Sequence, residues 1–374
     1  MIPSQNLWKS VFIRGSRLHC PVWNRIRRRF KMKALVLREY KKLAIENIAQ
    51  PEPLAGEVLV RVQACGICGS DVHGYDGSTG RRIPPLVMGH EAAGIVADVG
   101  DGVAGFEKGD RVTFDSTISC GACFFCQRGQ VNLCDHRQVL GVACGEFKRA
   151  GAFAEFVAVP ARICYRLPEN LPFEKAALIE AISIGVHAVG ITPIAIGDTA
   201  VIVGTGMIGL LALQAARIAG CMKIIAVDVE DSKLSTALKL GATHTLNANT
   251  CDVPREVRAL TGGRGADVAL ECVGTTATIV SAIGSTRKGG TVTLVGNIAP
   301  KIELPLQSVV TRQIRLQGSC ASSGEYPACI ELLASGAIRV DPILSAVAPL
   351  DEGPQWFERL YNHEPNLMKV VLKP

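Results

Sequence analysis

Between Cys65 and Glu91 the chain reads Cys65-Gly66-Ile67-Cys68-Gly69-Ser70-Asp71-Val72-His73, then a Gly/Pro-rich loop, then Gly89-His90-Glu91. Two thiols, two imidazoles, two carboxylates and a hydroxyl thus stand among the named residues of one glycine-punctuated stretch. Thiolate, imidazole and carboxylate are the donors zinc takes, and a hydroxyl with an imidazole beside them can handle a proton. Cys68 and His90 are the leading metal candidates, with Glu91 adjacent. A catalytic zinc keeps one position open and draws on three protein ligands, so a third ligand is expected elsewhere.

A second metal pattern is Cys120-x2-Cys123-x2-Cys126-x7-Cys134. Four thiolates from one loop close a tetrahedral shell with no open position, which is a structural zinc. Gly121 and Gly129 permit the tight winding. A nucleic-acid zinc ribbon fits poorly, because it would separate two CxxC knuckles by about 15–20 residues.

The third chemical motif is Gly204-Thr205-Gly206-Met207-Ile208-Gly209. It follows the apolar run Thr199–Val203, opens a helix-compatible stretch over 206–219, and precedes Asp228 at the end of the next apolar run. In that context G-x-G-x-x-G binds a dinucleotide pyrophosphate at a helix N-terminus. Asp228 is expected to accept from the adenosine ribose hydroxyls, and its charge would oppose a 2′-phosphate. The expected cofactor is therefore NAD(H), not NADP(H).

Two kinds of scaffold must position these groups. From 34 to about 180, short β-rich runs such as 58–62, 95–99 and 111–114 are separated by Pro and Gly, the pattern of an irregular antiparallel barrel or sandwich. The stretch 174–189 is apolar and helix-compatible. After it, strands at 199–203, 224–228, 267–270, 291–295 and 314–317 alternate with helices at 206–219 and 232–240. That alternation predicts an α/β parallel sheet covered on both faces. The last residues, Met368–Leu372, form another strand-like run.

At 374 residues the chain exceeds one ordinary core. With 48% hydrophobic and 20% charged residues it has a soluble globular composition, and no apolar run is long enough to span a membrane. The formal charge of +6 is misleading: eight cations and no acid lie in residues 1–31, so the remainder carries −2. A nucleic-acid role for the body loses its electrostatic basis. The basic stretch is compatible with a transit peptide or an arm, and the simplest expectation is a start at Met32. Fourteen cysteines without a secretory signal point to metal binding and reduced thiols, hence to a cytoplasmic protein.

Taken together, Cys68-Gly69-Ser70-Asp71-Val72-His73, Gly89-His90-Glu91, the four-cysteine loop and the glycine motif with Asp228 resemble, in order, the zinc-dependent medium-chain dehydrogenases of the alcohol dehydrogenase superfamily. The resemblance runs from about 32 to 374. It implies a GroES-like irregular β-barrel catalytic domain over 32–183, a Rossmann doubly wound parallel sheet over 184–319, and a return to the catalytic domain over 320–374. It also implies two zinc ions, NAD, a small-molecule alcohol substrate, no nucleic-acid or membrane partner, and a homodimer or homotetramer.

Within the superfamily, Ile179-Glu180-Ala181-Ile182-Ser183-Ile184-Gly185-Val186-His187-Ala188 is similar to the polyol (sorbitol-type) branch, which has glutamate where the alcohol-specific enzymes have a cysteine ligand. The implied catalytic ligands are Cys68, His90 and Glu180, with Glu91 just behind them and able to exchange with Glu180 or water. Ser70 would contact the substrate oxygen and His73 relay its proton. Lys233 would lie beside the adenosine ribose, and Cys272 and Val295 at strand ends lining the cofactor. One departure stands out: Gly318-Ser319-Cys320-Ala321-Ser322-Ser323-Gly324-Glu325-Tyr326 lacks the Arg-Tyr pair of animal sorbitol dehydrogenases. The substrate stays open among polyols, sugar phosphates, butanediol and threonine. A zinc-free quinone-type reductase would need neither Cys68, Glu180 nor the four-cysteine loop.

Overall fold

A computed structural model describes residues 30–374 apart from 145–146. Most of the basic N-terminal stretch lies outside the described residues. No helix among the described residues is long and apolar enough to cross a membrane.

Two sheets carry the chemistry. The first has seven strands, in the order Cys164–Arg166, Arg111–Phe114, Glu91–Val99, Glu57–Gly66, Lys369–Lys373 and Leu344–Pro349, with Phe156–Pro160 also paired to Glu57–Gly66. Its central pairings are antiparallel, and the alternation Val58, Val60, Val62 buries one face. The last two strands come from the chain's end, so the C-terminal residues lie beside the Cys65 stretch.

The second sheet is wholly parallel and six-stranded, in the order His244–Asn247, Lys223–Asp228, Thr199–Val203, Ala266–Glu271, Thr286–Leu294 and Arg315–Gly318. This is the doubly wound Rossmann order, and the reversal falls between Thr199–Val203 and Ala266–Glu271, where such sheets bind dinucleotides. The strands read as apolar runs because helices cover both faces; Ala200, Val201 and Ile202 are all fully buried.

Helical expectations differ from the structure at one informative place. The stretch expected as a single helix over 174–189 is two, Phe173–Ala176 and Ile179–Gly190. Leu178 N donates to Lys175 O at 3.0 Å, three residues back, while Ile182 N resumes four-residue bonding to Leu178 O at 2.9 Å. That tight turn restarts the helix and sets Glu180 in its first turn, where the helix dipole favours a carboxylate. Behind it, Gly185 lets this helix close on Met207–Ile218: a Cβ at Gly185 would lie 2.9 Å from Ala212 N.

Candidate metal centre and dinucleotide site

Strand register explains why Cys68, His90 and Glu91 meet. Gly66 pairs with Glu91 and Cys65 with Ala92 across the antiparallel ladder. The chain leaves the first strand at Ile67, and Cys68 caps the short helix Gly69–Gly74, its sulfur accepting from Ser70 N at 3.4 Å. His90 immediately precedes the partner strand. The ligand atoms of Cys68, His90 and Glu91 consequently lie within 4.8 Å of one another, half-buried to buried.

The sequence reading paired Glu180, not Glu91, with Cys68 and His90. The structure gathers Glu91 into the tight set and holds Glu180 beside it, with Ser116 Oγ donating to Glu180 Oε1 at 3.2 Å. Burial, with help from Glu91 and Asp115, pushes the Glu180 carboxyl up to about 7 despite His90 and Lys369. Burial likewise lifts Asp115 to about 6. Glu91 is held in place by Lys369, which reaches in from the C-terminal strand; both are 1% exposed. Lys369 Nζ also donates to Ile67 O at 2.8 Å. Gly66 leaves the space: a Cβ there would sit 2.9 Å from Lys369 Cε.

The donor set suits zinc. Burial disfavours the His90 imidazolium, yet Asp71 and Cys68 outweigh that and hold its pKa well above the usual histidine value. The pocket thus draws positive charge into a buried space among thiol and carboxylate groups, and a divalent cation answers that demand better than protons do. Oδ2 of Asp71 and Nδ1 of His90 are buried without other hydrogen bonds and face each other at 3.5 Å. With Nδ1 turned to Asp71, Nε2 is the nitrogen left for a metal. Ser70 Oγ lies 3.2 Å from Cys68 Sγ, and His73 is exposed one helical turn along.

The four cysteines of the second cluster also come together, their sulfurs within 4.8 Å. Cys134 Sγ accepts from Cys120 N at 3.2 Å and His136 N at 3.4 Å. Backbone donors from Cys126 and Asp135 bring the Cys123 thiol down to about 6, so it ionises readily as a zinc thiolate must. Gly121 and Gly129 have φ of 77° and 75°, the left-handed turns that close the loop. Sequence and structure agree that four sulfurs gather in one loop, a set that fits a structural zinc.

At the parallel sheet's switch point each glycine of the motif has a separate job. Gly204 turns at φ 89°. A Cβ on Gly209 would overlap the Gly204 carbonyl oxygen, whereas one on Gly206 would meet nothing within 4 Å. Gly206 therefore faces open space at the uncapped N-terminus of Met207–Ile218, where free N–H groups await an anion. Gly206→Val is expected to weaken dinucleotide binding about tenfold or more, roughly 1.4 kcal/mol, with the melting temperature unchanged. Gly209→Val is expected to destabilise the fold by about 1–3 kcal/mol. Parallel melts and cofactor titrations separate the two; equal behaviour would refute the division of labour.

Asp228 stands where the sequence reading put it, at a strand end beside the glycine loop. Its Oδ2 accepts from Thr205 N at 2.7 Å and Oγ1 at 3.1 Å, and its Oδ1 from Val229 N at 2.8 Å and Glu230 N at 3.1 Å. All four acceptor sites are filled, so ribose hydroxyls must share or displace one of these bonds. Lys233 pairs with Glu230 at 2.6 Å. Cys272 N donates to Val203 O and Val295 N to Glu271 O, both at 2.8 Å, tying the cofactor-side strand ends together. Glu271, fully buried, accepts from Val273 N at 2.9 Å and Gly274 N at 2.8 Å. The sequence reading assigned no role to Glu271, Lys369, Ser116 or Arg82. Only Asp71 had a local signal, lying inside the cysteine-histidine stretch.

Comparison with known proteins gives this geometry a lineage. The alcohol dehydrogenase GroES-like domain family matches residues 54–169, and the zinc-binding dehydrogenase family matches 208–335. A sorbitol dehydrogenase of Bacillus subtilis (strain 168) is 36% identical over 348 residues, covering 92% of this chain and 97% of that one. An L-idonate 5-dehydrogenase of Vitis vinifera is 36% identical over 312 residues, covering 82% and 84%. Among solved structures, a zinc-binding dehydrogenase of Sinorhizobium meliloti 1021 bound to NADP superposes with a TM-score of 0.84 at 34% identity, covering 92% of this chain and 100% of that one. Sequence, fold and metal-binding geometry agree: the chain belongs to the zinc-dependent medium-chain dehydrogenases of the alcohol dehydrogenase superfamily, on their polyol-dehydrogenase-like branch.

Proposed function

We propose that the protein oxidises a secondary alcohol of a polyol or sugar alcohol to a ketone, with NAD as hydride acceptor. The observation that carries this reading is the buried Cys68–His90–Glu91 cluster with the Ser70 hydroxyl 3.2 Å from Cys68 Sγ. The sorbitol and L-idonate relatives support the polyol class.

When bound, zinc would lower the pKa of the substrate hydroxyl, and the nicotinamide would take the carbinol hydride. Cys68, His90 and Glu91, with Glu180 adjacent, would hold the metal. Ser70 Oγ takes up the hydroxyl proton, and exposed His73 passes it to water. Lys369 orients Glu91, and burial keeps bulk water from the carboxylates. The glycine loop and its helix N-terminus hold the pyrophosphate. NAD is favoured over NADP because a 2′-phosphate would meet both Asp228 and Glu230, with the nearby Lys233 already paired to Glu230.

Polyols, sugar phosphates, diols and threonine, each assayed with NAD and with NADP by absorbance of the reduced cofactor, test both statements. Turnover of polyols with NAD preferred at least about tenfold, or ~1.4 kcal/mol, is the expected outcome. Preference for NADP overturns the cofactor assignment, and turnover confined to threonine or butanediol overturns the substrate class.

A further inference from the structure

Arg82 lies in the loop between the two halves of the Cys65–Glu91 stretch and is only 3% exposed. Its Nε and Nη2 donate to Asp71 Oδ1 at 3.1 and 3.0 Å, and Nη2 also donates to Ser70 Oγ at 3.1 Å. One guanidinium therefore touches the carboxylate that faces His90 and the hydroxyl that faces Cys68.

We propose that Arg82 is a positioning residue that aims both the His90 imidazole and the Ser70 hydroxyl. This rests on the metal and alcohol reading above. The fork occupies Asp71 Oδ1 and leaves Oδ2 directed at His90 Nδ1, 3.5 Å away. That contact selects the tautomer and ring angle that present Nε2 to a metal. Arginine has donors and no acceptor, so Ser70 Oγ can only accept from it. One lone pair is thus taken and the hydroxyl proton is given to Cys68 Sγ at 3.2 Å, which leaves one lone pair aimed to accept a substrate proton. Without Arg82 the hydroxyl can rotate, and the direction of the relay is lost.

Gly74 supplies an independent sign that the arginine's path is built in. A Cβ on Gly74 would overlap Arg82 Cγ and lie 3.1 Å from its Cβ. The helix carrying Ser70, Asp71 and His73 is thus bare where the arginine stem crosses it. A plain ion pair with Asp71 would need the charge alone, which lysine also supplies. The planar guanidinium, gripping Asp71 Oδ1 through both Nε and Nη2, fixes the angle at which Nη2 meets Ser70 Oγ, which a freely rotating ammonium would not.

The test uses the full chain with Arg82→Lys, Arg82→Met and Gly74→Ala, and reads zinc release to a chromophoric chelator alongside kcat, KM and pH profile. Arg82→Met should release the catalytic zinc about 10- to 100-fold faster than wild type, while the four-cysteine zinc leaves at its wild-type rate. Arg82→Lys should keep zinc release within about threefold of wild type, yet lose about tenfold or more in kcat at near-constant KM, the split expected when proton transfer and not binding is impaired. Gly74→Ala should show the same kcat loss with every charge intact. Wild-type kcat in Arg82→Lys overturns the aiming of Ser70, and wild-type zinc release in Arg82→Met overturns the aiming of His90. If Arg82→Met does not fold, Arg82→Lys and Gly74→Ala decide, and wild-type kcat in both overturns the inference. Wild-type protein that holds only the four-cysteine zinc would sink the site reading itself. Two zincs with unaltered variants would sink only the role of Arg82.

Discussion

Cys68→Ala is expected to leave one zinc per chain and to reduce turnover by at least about 10⁴-fold, roughly 5.4 kcal/mol of barrier. Cys68 contributes the only thiolate to the catalytic cluster, and its loss leaves His90 and Glu91 as the tight pair. The fold should survive. The side chain is half-buried, and its structural duty is to cap the short helix Gly69–Gly74, an interaction of about 1 kcal/mol. Metal analysis, turnover and a melting curve on the same preparation give the answer. Retained activity, or loss of both zincs, would show that the two clusters have been assigned the wrong roles.

Cys123→Ala should have the opposite profile. Between Cys120 and Cys134 only Asn132 and Cys134 are buried, so the loop has almost no core of its own. Metal binding must supply the stability that apolar burial does not, and structural zinc sites contribute on the order of 10 kcal/mol in small peptides. Its loss should expose 119–134 to proteolytic nicking while the catalytic zinc remains. The damage should also spread to one neighbouring segment. Asn132 Nδ2 donates to Cys320 O and Ser323 Oγ to Gly129 O, both at 2.8 Å, and Glu325 accepts from His187 at 2.6 Å on the Glu180 helix. Activity of the variant should therefore fall in part and not recover with added zinc. A variant as protease-resistant as wild type would refute a structural role for this metal.

The two cysteine motifs and the glycine motif were legible because their donors lie close in sequence and their spacing reflects local geometry. The parallel sheet was legible for a similar reason: strands buried on both faces must be nearly continuous apolar runs. The break at Leu178 was not, because an apolar helix pattern continues through a single tight turn without any change in composition. The sequence reading also treated Asp228 as a free acceptor. Counting its bonds to Thr205, Val229 and Glu230 needed the folded loop.

By itself the sequence determined two sets of metal-ligating side chains and one glycine loop, since the four cysteines and the glycines are close neighbours along the chain and Cys68 and His90 share one stretch. Which carboxylate stands closest to Cys68 and His90 was a tertiary decision. Gly66 pairing with Glu91 brings that acid to the cluster, whereas Glu180 arrives on a separate helix and is held by Ser116. The cations were decided in the same way. Lys369 comes from the last strand, and Arg82 folds back across Gly74 to reach Asp71. Lys369 has no local pattern, because its partners Ile67 and Glu91 are assembled only when distant strands come into register. Arg82 meets nearby residues, but only the folded helix Gly69–Gly74 turns Asp71 and Ser70 towards it.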